Sequence, residues 1–152
     1  MEDHIELLTA AEYDTVAEAL LELVRQYPEQ IGVKAEYDAL GANKSLAVLI
    51  VGGRVKKRNV LGGFTAEVNF SIAYKSQPKT SDQRLDRQEV VGKITKWLEN
   101  TKDLPPLTDN RTITKITAIG VPYKGEAEEN GSVTYYADAV MEYKKKEKDL
   151  LL

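Results

Sequence analysis

The residues best suited to chemistry are an acid and a lysine separated by one position near the C-terminus, Glu142 and Lys144. Alternate residues of a β-strand point to the same face, so both side chains would lie together with Asp138. Some metal-dependent nucleases hold a magnesium ligand beside a lysine at this spacing. Such a site needs another acid from a neighbouring strand, and Glu67 is the candidate. We favour the simpler interpretation, a solvated sheet face on which acids and lysines pair across strands.

Other catalytic motifs are missing from the sequence. The single histidine, His4, lies beside the N-terminus, where nothing would hold it as a general base. There is no cysteine, which excludes thiolate nucleophiles, disulfides and sulfur-ligated metals. Segment 41–45, Gly-Ala-Asn-Lys-Ser, lacks the glycine that precedes the lysine of a phosphate-binding loop. We therefore predict a protein that is not an enzyme and that uses no cofactor and no metal ion.

The length and charge of the chain narrow the function further. Its 152 residues suit one domain with a single core, so residues 1–152 are predicted to form one unit. A net charge of -3 gives the whole chain no electrostatic reason to wrap nucleic acid. The acidic N-terminus has no apolar stretch, and no apolar run approaches the ~20 residues that span a bilayer. We expect a soluble protein, made inside the cell, without membrane association.

Hydrophobic periodicity predicts two helices. The first covers residues 10–27, where apolar residues recur at spacings of three and four, and Pro28 closes it. The second covers residues 80–100 and opens with a capping box formed by Thr80 and Gln83. Both helices have one apolar stripe, so each is expected to pack one side against a sheet.

Four strands are predicted between and after the helices. Residues 45–51 form a short continuous apolar run, typical of a strand buried on both faces and here ended by a diglycine. Residues 64–75 alternate between apolar and polar, as in an antiparallel strand with one face in the core. Residues 112–123 show a phase slip between Ile116 and Ile119 that indicates a bulge, and residues 133–144 alternate again.

The predicted element order is therefore α-β-β-α-β-β. This order favours an α+β fold in which two helices pack on one face of a mostly antiparallel four-stranded sheet. Residues 145–152 are predicted to form a flexible charged tail. Its last part, Leu150–Leu152, has no obvious place in the core, and either a frayed end or docking onto a partner is consistent with the sequence.

Two connections between strands carry strong charge of opposite sign. The basic one lies between the diglycines at 52–53 and 62–63, which predict a protruding hairpin. The acidic one, at 125–131, turns the chain back toward the last strand. Opposite charges on one domain can match loops of neighbouring copies or partners, although plain solvation is the alternative. Tyr136 faces away from the predicted core and belongs to a residue type enriched at interfaces. The candidate interface residues are Arg54, Lys56, Lys57, Arg58, Glu126, Glu128, Glu129 and Tyr136.

In their order and spacing, several of these segments resemble the tail terminator family of tailed phages, often labelled minor capsid proteins. The resemblance covers most of the chain and is weakest in the first helix and the last ten residues. It rests on a buried strand followed by Gly53-Arg54-Val55, a strand ending Phe70-Ser71-Ile72-Ala73-Tyr74-Lys75-Ser76, a helix ending Trp97-Leu98-Glu99, then Leu104-Pro105-Pro106-Leu107, Asp109-Asn110-Arg111, a Glu-rich turn, and a closing strand from Tyr135 to Tyr143.

The resemblance implies a hexameric ring that caps the completed tail tube, stops its polymerisation and presents a surface to head-completion or connector proteins. DNA would pass through its lumen in passive contact. The implied location is the head-proximal end of the virion tail, after assembly in the host cytoplasm. By resemblance, the hairpins at 54–58 and 126–129 fall where such subunits extend loops toward neighbours or the tube. A generic α+β interaction module and a magnesium-dependent nuclease are the alternatives.

Overall fold

The computed structural model describes residues 6–29, 34–37, 40, 44–78 and 80–147. Over these residues the chain has an α+β fold with two helices and a mostly antiparallel sheet, as the sequence predicts. The sheet has six strands rather than the predicted four. In chain order the elements are β1 (Glu6–Leu7), α1 (Ala10–Val24), β2 (Ala35–Tyr37), β3 (Ser45–Arg58), β4 (Phe64–Ser76), α2 (Ser81–Asn100), β5 (Arg111–Lys124) and β6 (Val133–Lys145).

The strand order of the sheet is β1-β3-β4-β6-β5, and every neighbouring pair along this path is antiparallel. Strand β2 pairs in parallel with β3 at Leu46–Val48, while β1 pairs with β3 at Arg54 and Val55. These two strands are the ones absent from the sequence prediction. With two and three residues they are too short to show a hydrophobic period.

Strand β3 is longer than predicted. It continues through the diglycine at 52–53 to Arg58, whereas the sequence analysis ended it at that diglycine. A Cβ atom on Gly52 would meet no atom within 4 Å, so this position shows no steric need for glycine. Only the second diglycine forms a turn, in which Gly62 has a φ of 94°. The predicted basic hairpin is therefore mostly sheet, and only its tip, residues 59–63, is a turn.

Local sequence patterns predicted the start of α2 correctly, but they did not predict where α1 ends or where β5 bulges. The side chain of Thr80 accepts a hydrogen bond from the backbone N–H of Gln83 at 3.1 Å, which confirms the predicted cap of α2. Helix α1 ends at Val24 rather than at 27. The predicted bulge in β5 is wrong in position, because the register shifts lie at 113–115 and 119–123, on either side of the predicted place.

The core lies between the helices and one face of the sheet. The alternating residues of β4 and β6 predicted to face inward are all buried, and the same cluster includes most of the apolar stripes of α1 and α2. Leu85 of α2, which belongs to the predicted stripe, is exposed instead. Each large apolar side chain buried here contributes roughly 1.5–3 kcal/mol. Neither described helix combines the length and the apolar character that crossing a bilayer requires. The largest fully buried side chains include Leu20, Phe70, Ile72, Tyr74, Ile94, Leu98, Tyr135, Met141 and Tyr143.

A buried ion pair ties α1 to the sheet. Arg111, at the start of β5, donates from Nε and Nη2 to the two carboxylate oxygens of Glu12 at 2.7 and 2.5 Å. The hydroxyl of Tyr143 donates to Glu12 Oε2 at 2.8 Å, and Lys145 Nζ lies 3.2 Å from Oε1. Glu12 and Arg111 are only 6% and 8% exposed. The partners are 99 residues apart in sequence, so no local pattern predicted them.

The surroundings of Glu12 keep its carboxylate charged. Burial alone would raise the pKa of Glu12, but hydrogen bonds from Arg111, Tyr143 and Lys145 outweigh it and lower the pKa to about 2. Burial and the hydrogen bond to this carboxylate raise the pKa of Tyr143 above its usual value. The network is therefore one carboxylate held by two cations and a phenol, and it fixes the N-terminal end of α1 on β5 and β6.

Candidate interaction surfaces

The sheet face opposite the helices, called here the open face, carries an ion-pair grid formed by Arg54, Lys56, Glu67 and Glu142. Glu67 on β4 lies directly opposite Glu142 on β6. Arg54 Nε donates to Glu67 at 2.6 Å. Lys56 Nζ lies 2.8 Å from a carboxylate oxygen of Glu142 and 4.0 Å from one of Glu67. The two acids of the nuclease alternative are thus neighbours, but both are paired with cations from β3.

The contact between Lys56 and Glu142 favours the charged form of both groups. The hydrogen bond from Lys56 lowers the pKa of Glu142, and the same bond raises the pKa of Lys56. Asp138 lies further along β6 and accepts hydrogen bonds from Ser71 at 2.5 Å and from Tyr123 at 3.1 Å. In the part of the chain that the structure describes, no three acids or histidines are grouped so that they could hold a metal ion.

The basic residues of β3 mostly have partners within the chain. Arg54 and Lys56 belong to the grid, and Arg58 forms an ion pair with Glu6 and lies over the Phe64 ring at 5.5 Å from its centroid. Lys57 is exposed and has no ion-pair partner among the described residues. Three of the four cations of the predicted basic hairpin are therefore neutralised in the sheet, and only Lys57 presents a free charge.

The tip of the β3–β4 hairpin, residues 59–63, is apolar. Val60 and Leu61 have side chains that are 103% and 89% exposed. The turn is closed by a hydrogen bond from the backbone N–H of Asn59 to the carbonyl of Gly63 at 2.7 Å. The charge pattern of this segment does not indicate this apolar pair. The sequence does contain an indication of it, because Val60 and Leu61 are aliphatic residues in a turn, where polar residues are usual.

The acidic loop lies at the other end of the sheet. Within it, Glu128 forms an ion pair with Lys75 at 2.8 Å, while Glu126 and Glu129 are exposed and without an ion-pair partner among the described residues. Strand β6 starts beside the end of β4 at Ser76 and finishes beside Phe64. The acidic loop and the apolar tip consequently leave opposite ends of the same long strands.

The middle of the open face is aromatic and apolar. Tyr136 lies on this face, as predicted, and stacks on Tyr123 with ring centroids 5.3 Å apart. Beside the pair runs an open-face groove of about 290 Å³, lined by Val51, Ile119 and Val140 among others. Val51 is 74% exposed, which shows that this face is not covered by other parts of the described chain.

A second groove lies on the helix side, between α1 and the segment at 105–108. This helix-side groove has a volume of about 340 Å³, and its apolar lining includes Ala19, Leu23 and Leu107. Two acids stand on its α1 wall. Glu22 is paired with Arg25 at 2.7 Å, whereas Glu18 is exposed and has no ion-pair partner among the described residues.

These surfaces combine exposed apolar side chains with a few unpaired charges. The acids of the open face are bound by neighbouring donors and do not converge on one point, as the acids of a catalytic site would. Such an arrangement can bind other protein surfaces. The C-terminal segment from 148 lies outside the described residues, and with it Leu150–Leu152, for which a frayed end and docking onto a partner were both open. The chain matches no protein-family model, and no curated protein is significantly similar to it.

Proposed function

We propose that this chain is a structural subunit of the tail terminator type, which forms a ring on the end of a phage tail tube. In this role it stops tube polymerisation and provides the joining surface for a head-completion protein. The observation that carries the proposal is the polarity of the sheet, with the apolar tip at one end and the acidic loop at the other. Strand β4 has 13 residues, so these ends are about 40 Å apart at ~3.3 Å per residue.

The two ends differ in chemistry as well as in position. One end exposes Lys57, Val60 and Leu61, and the other exposes Glu126 and Glu129. Contiguous exposed apolar residues mark protein contacts, and complementary charge selects partners. A ring built from such subunits in one orientation has two unlike faces. A part that joins a tube on one side to a head on the other requires this property.

Assembly into a ring needs a contact between two different patches of the subunit, because such a head-to-tail contact repeats around an axis until it closes. By the resemblance to tail terminators the ring has six copies. DNA passes through its lumen in passive contact, in keeping with the net charge of -3. The ring assembles in the host cytoplasm and stays at the head-proximal end of the tail.

The test is the mass of the protein in solution by light scattering, alone and with the tail tube protein. The proposal predicts a ring of about six copies, formed alone or on the tube. Glu126→Lys combined with Glu129→Lys is expected to keep the ring but to lose binding to one partner, tube or head. Glu89→Lys on α2 is the matched control and should keep both. Monomers under both conditions would refute the ring, and an oligomer indifferent to tubes and heads would indicate a generic interaction module.

A further inference from the structure

We infer that the ring contact is made by the hairpin tip of one copy, residues 59–63, seated in the helix-side groove of the next copy. The occupant of the groove is thus a second copy of this chain. The inference rests on the proposed function only in assuming that copies associate. It goes further by naming the two patches that meet. The tip then lies between neighbouring copies, so the ring face at this end is formed by the surface around the seated tip, while the acidic loop stays free on the opposite face.

The tip has the properties of an inserting element. Val60 and Leu61 are almost wholly exposed, so their apolar surface is removed from water only by a partner. The turn is also held in place. The Asn59–Gly63 hydrogen bond closes it, and Gly63 packs so closely on the carbonyl of Lys145 that an added Cβ would lie 2.5 Å from that oxygen. A rigid tip loses little conformational freedom on binding.

The groove offers a matching apolar wall. It lies between a helix and a segment containing Pro105 and Pro106, and it is open to solvent along α1. Its volume of about 340 Å³ accommodates more than one aliphatic side chain. Ala19 of α1 and Leu107 form the apolar surface that would contact the inserted residues, because Leu23 is only 3% exposed. Both walls are therefore stiff, as a preformed binding site requires.

Charge and position favour the helix-side groove over the open-face groove. Lys57 stands three residues before Val60 and is unpaired, so a tip that docks brings a positive charge with it. The helix-side groove has the unpaired acid Glu18 at its edge. In the open-face groove, Asp138 accepts hydrogen bonds from the neutral side chains of Ser71 and Tyr123, and this groove lies in the middle of the sheet rather than at the end that carries the tip. The helix-side groove is the complementary one.

The positions of the two patches favour closure into a ring. They are different surfaces, so the contact between them is head-to-tail rather than two-fold. At the groove, Thr108 accepts a hydrogen bond from Arg111. Arg111 lies opposite Lys145 in the ladder formed by β5 and β6. Lys145 is also the residue on which the tip packs. The tip and the groove therefore lie at the same end of the sheet. Copies joined through them can stay at the same level along the strand direction, as a closed ring requires.

Cysteine cross-linking tests the contact directly, because the natural chain contains no cysteine. A chain with Leu61→Cys and Ala19→Cys should form, on oxidation, a ladder of covalently linked copies that ends at the ring. The control combines Leu61→Cys with Leu85→Cys, whose side chain is 57% exposed on α2, and should give no ladder. A ring seen by light scattering without any ladder would overturn this contact and leave the proposed function standing. Monomers throughout would overturn both.

A charge exchange provides the second test. Lys57→Glu and Glu18→Lys should each weaken self-association at least tenfold, and the chain carrying both changes should recover it. Lys93→Glu, an exposed lysine in the middle of α2 that belongs to neither patch, should change nothing. If the double exchange fails to rescue assembly, Lys57 does not meet Glu18 and the inferred pairing is wrong. Removal of residues 148–152, which follow Glu147 beside the tip, should leave the cross-link intact. If the cross-link is lost in the shortened chain, the C-terminal leucines and not the tip occupy the groove, and the inference is wrong.

Discussion

At the scale of single residues, the carboxylate of Glu12 connects three elements of the fold. It accepts from Arg111 on β5 and Tyr143 on β6 while standing in the first turn of α1. Sequence reasoning could not find it, because a glutamate on an amphipathic helix looks like any solvated acid and its partner is 99 residues away. Removing one member of such a buried pair leaves the other charge without compensation.

Acid should therefore destabilise the fold through Glu12. Its pKa in the folded protein is about 2, below the 4.5 of a free glutamate, so its contribution is fully present above about pH 4.5 and is lost as the pH falls through 2. The difference corresponds to on the order of 3 kcal/mol. Urea unfolding from neutral to acid pH should show this loss in the natural chain.

Glu12→Gln is expected to lower the free energy of unfolding by about 3 kcal/mol at neutral pH and to flatten the profile between pH 4.5 and 2. Glu18→Gln, on an exposed position of the same helix, should cost within about 0.5 kcal/mol and keep the slope. An unchanged acid profile in Glu12→Gln would show that another group governs acid unfolding.

The ion-pair grid yields a second prediction at this scale. Lys56 lies close to both Glu67 and Glu142, so the natural chain should show no change in melting temperature or in DNA integrity with millimolar magnesium. Lys56→Ala leaves Glu142 facing Glu67 with Arg54 as the one remaining cation of the grid, so the melting temperature should fall slightly and should respond to divalent cations. Lys144→Ala is the control and should not respond. Magnesium-dependent cleavage by the natural chain, abolished by Glu142→Ala, would restore the nuclease alternative.

At the scale of elements, the sequence predicted well where one face of a long segment is buried. Helix α2, its cap at Thr80, the start of α1 and the two alternating strands are where the sequence predicted them, although α1 ends three residues early. The sequence did not predict elements whose formation depends on the neighbouring strand with which they pair. The short strands β1 and β2 exist because β3 offers them an edge, and β3 passes a diglycine because the ladder with β4 continues beyond it.

The two diglycines should differ sharply when substituted. Gly63→Ala would place a methyl group against a backbone carbonyl and should cost about 1–3 kcal/mol. Gly52→Ala meets nothing within 4 Å and should be neutral or stabilise by up to about 1 kcal/mol, because it restricts the unfolded chain. Denaturant unfolding of both variants measures the contrast. Equal costs at the two positions would contradict the assignment of one diglycine to the strand and the other to the turn.

At the scale of the whole molecule, the candidate surfaces were predicted in part. The acidic loop lies where its composition indicated, and Tyr136 faces away from the core. The basic residues were assigned to a loop but lie in β3, since charge alone does not reveal that Glu6, Glu67 and Glu142 pair with them. The placement of the two loops at opposite ends also follows from strand register, which the sequence does not display.

Electron microscopy of tube assembly tests the proposal that this chain closes a ring on a tail tube. Tail tube protein would be polymerised with and without the natural chain, and tube lengths and ends would be compared. The account predicts that tubes stop growing when the chain is added and that one end of each carries a single ring. Tubes of unchanged length with bare ends would contradict it.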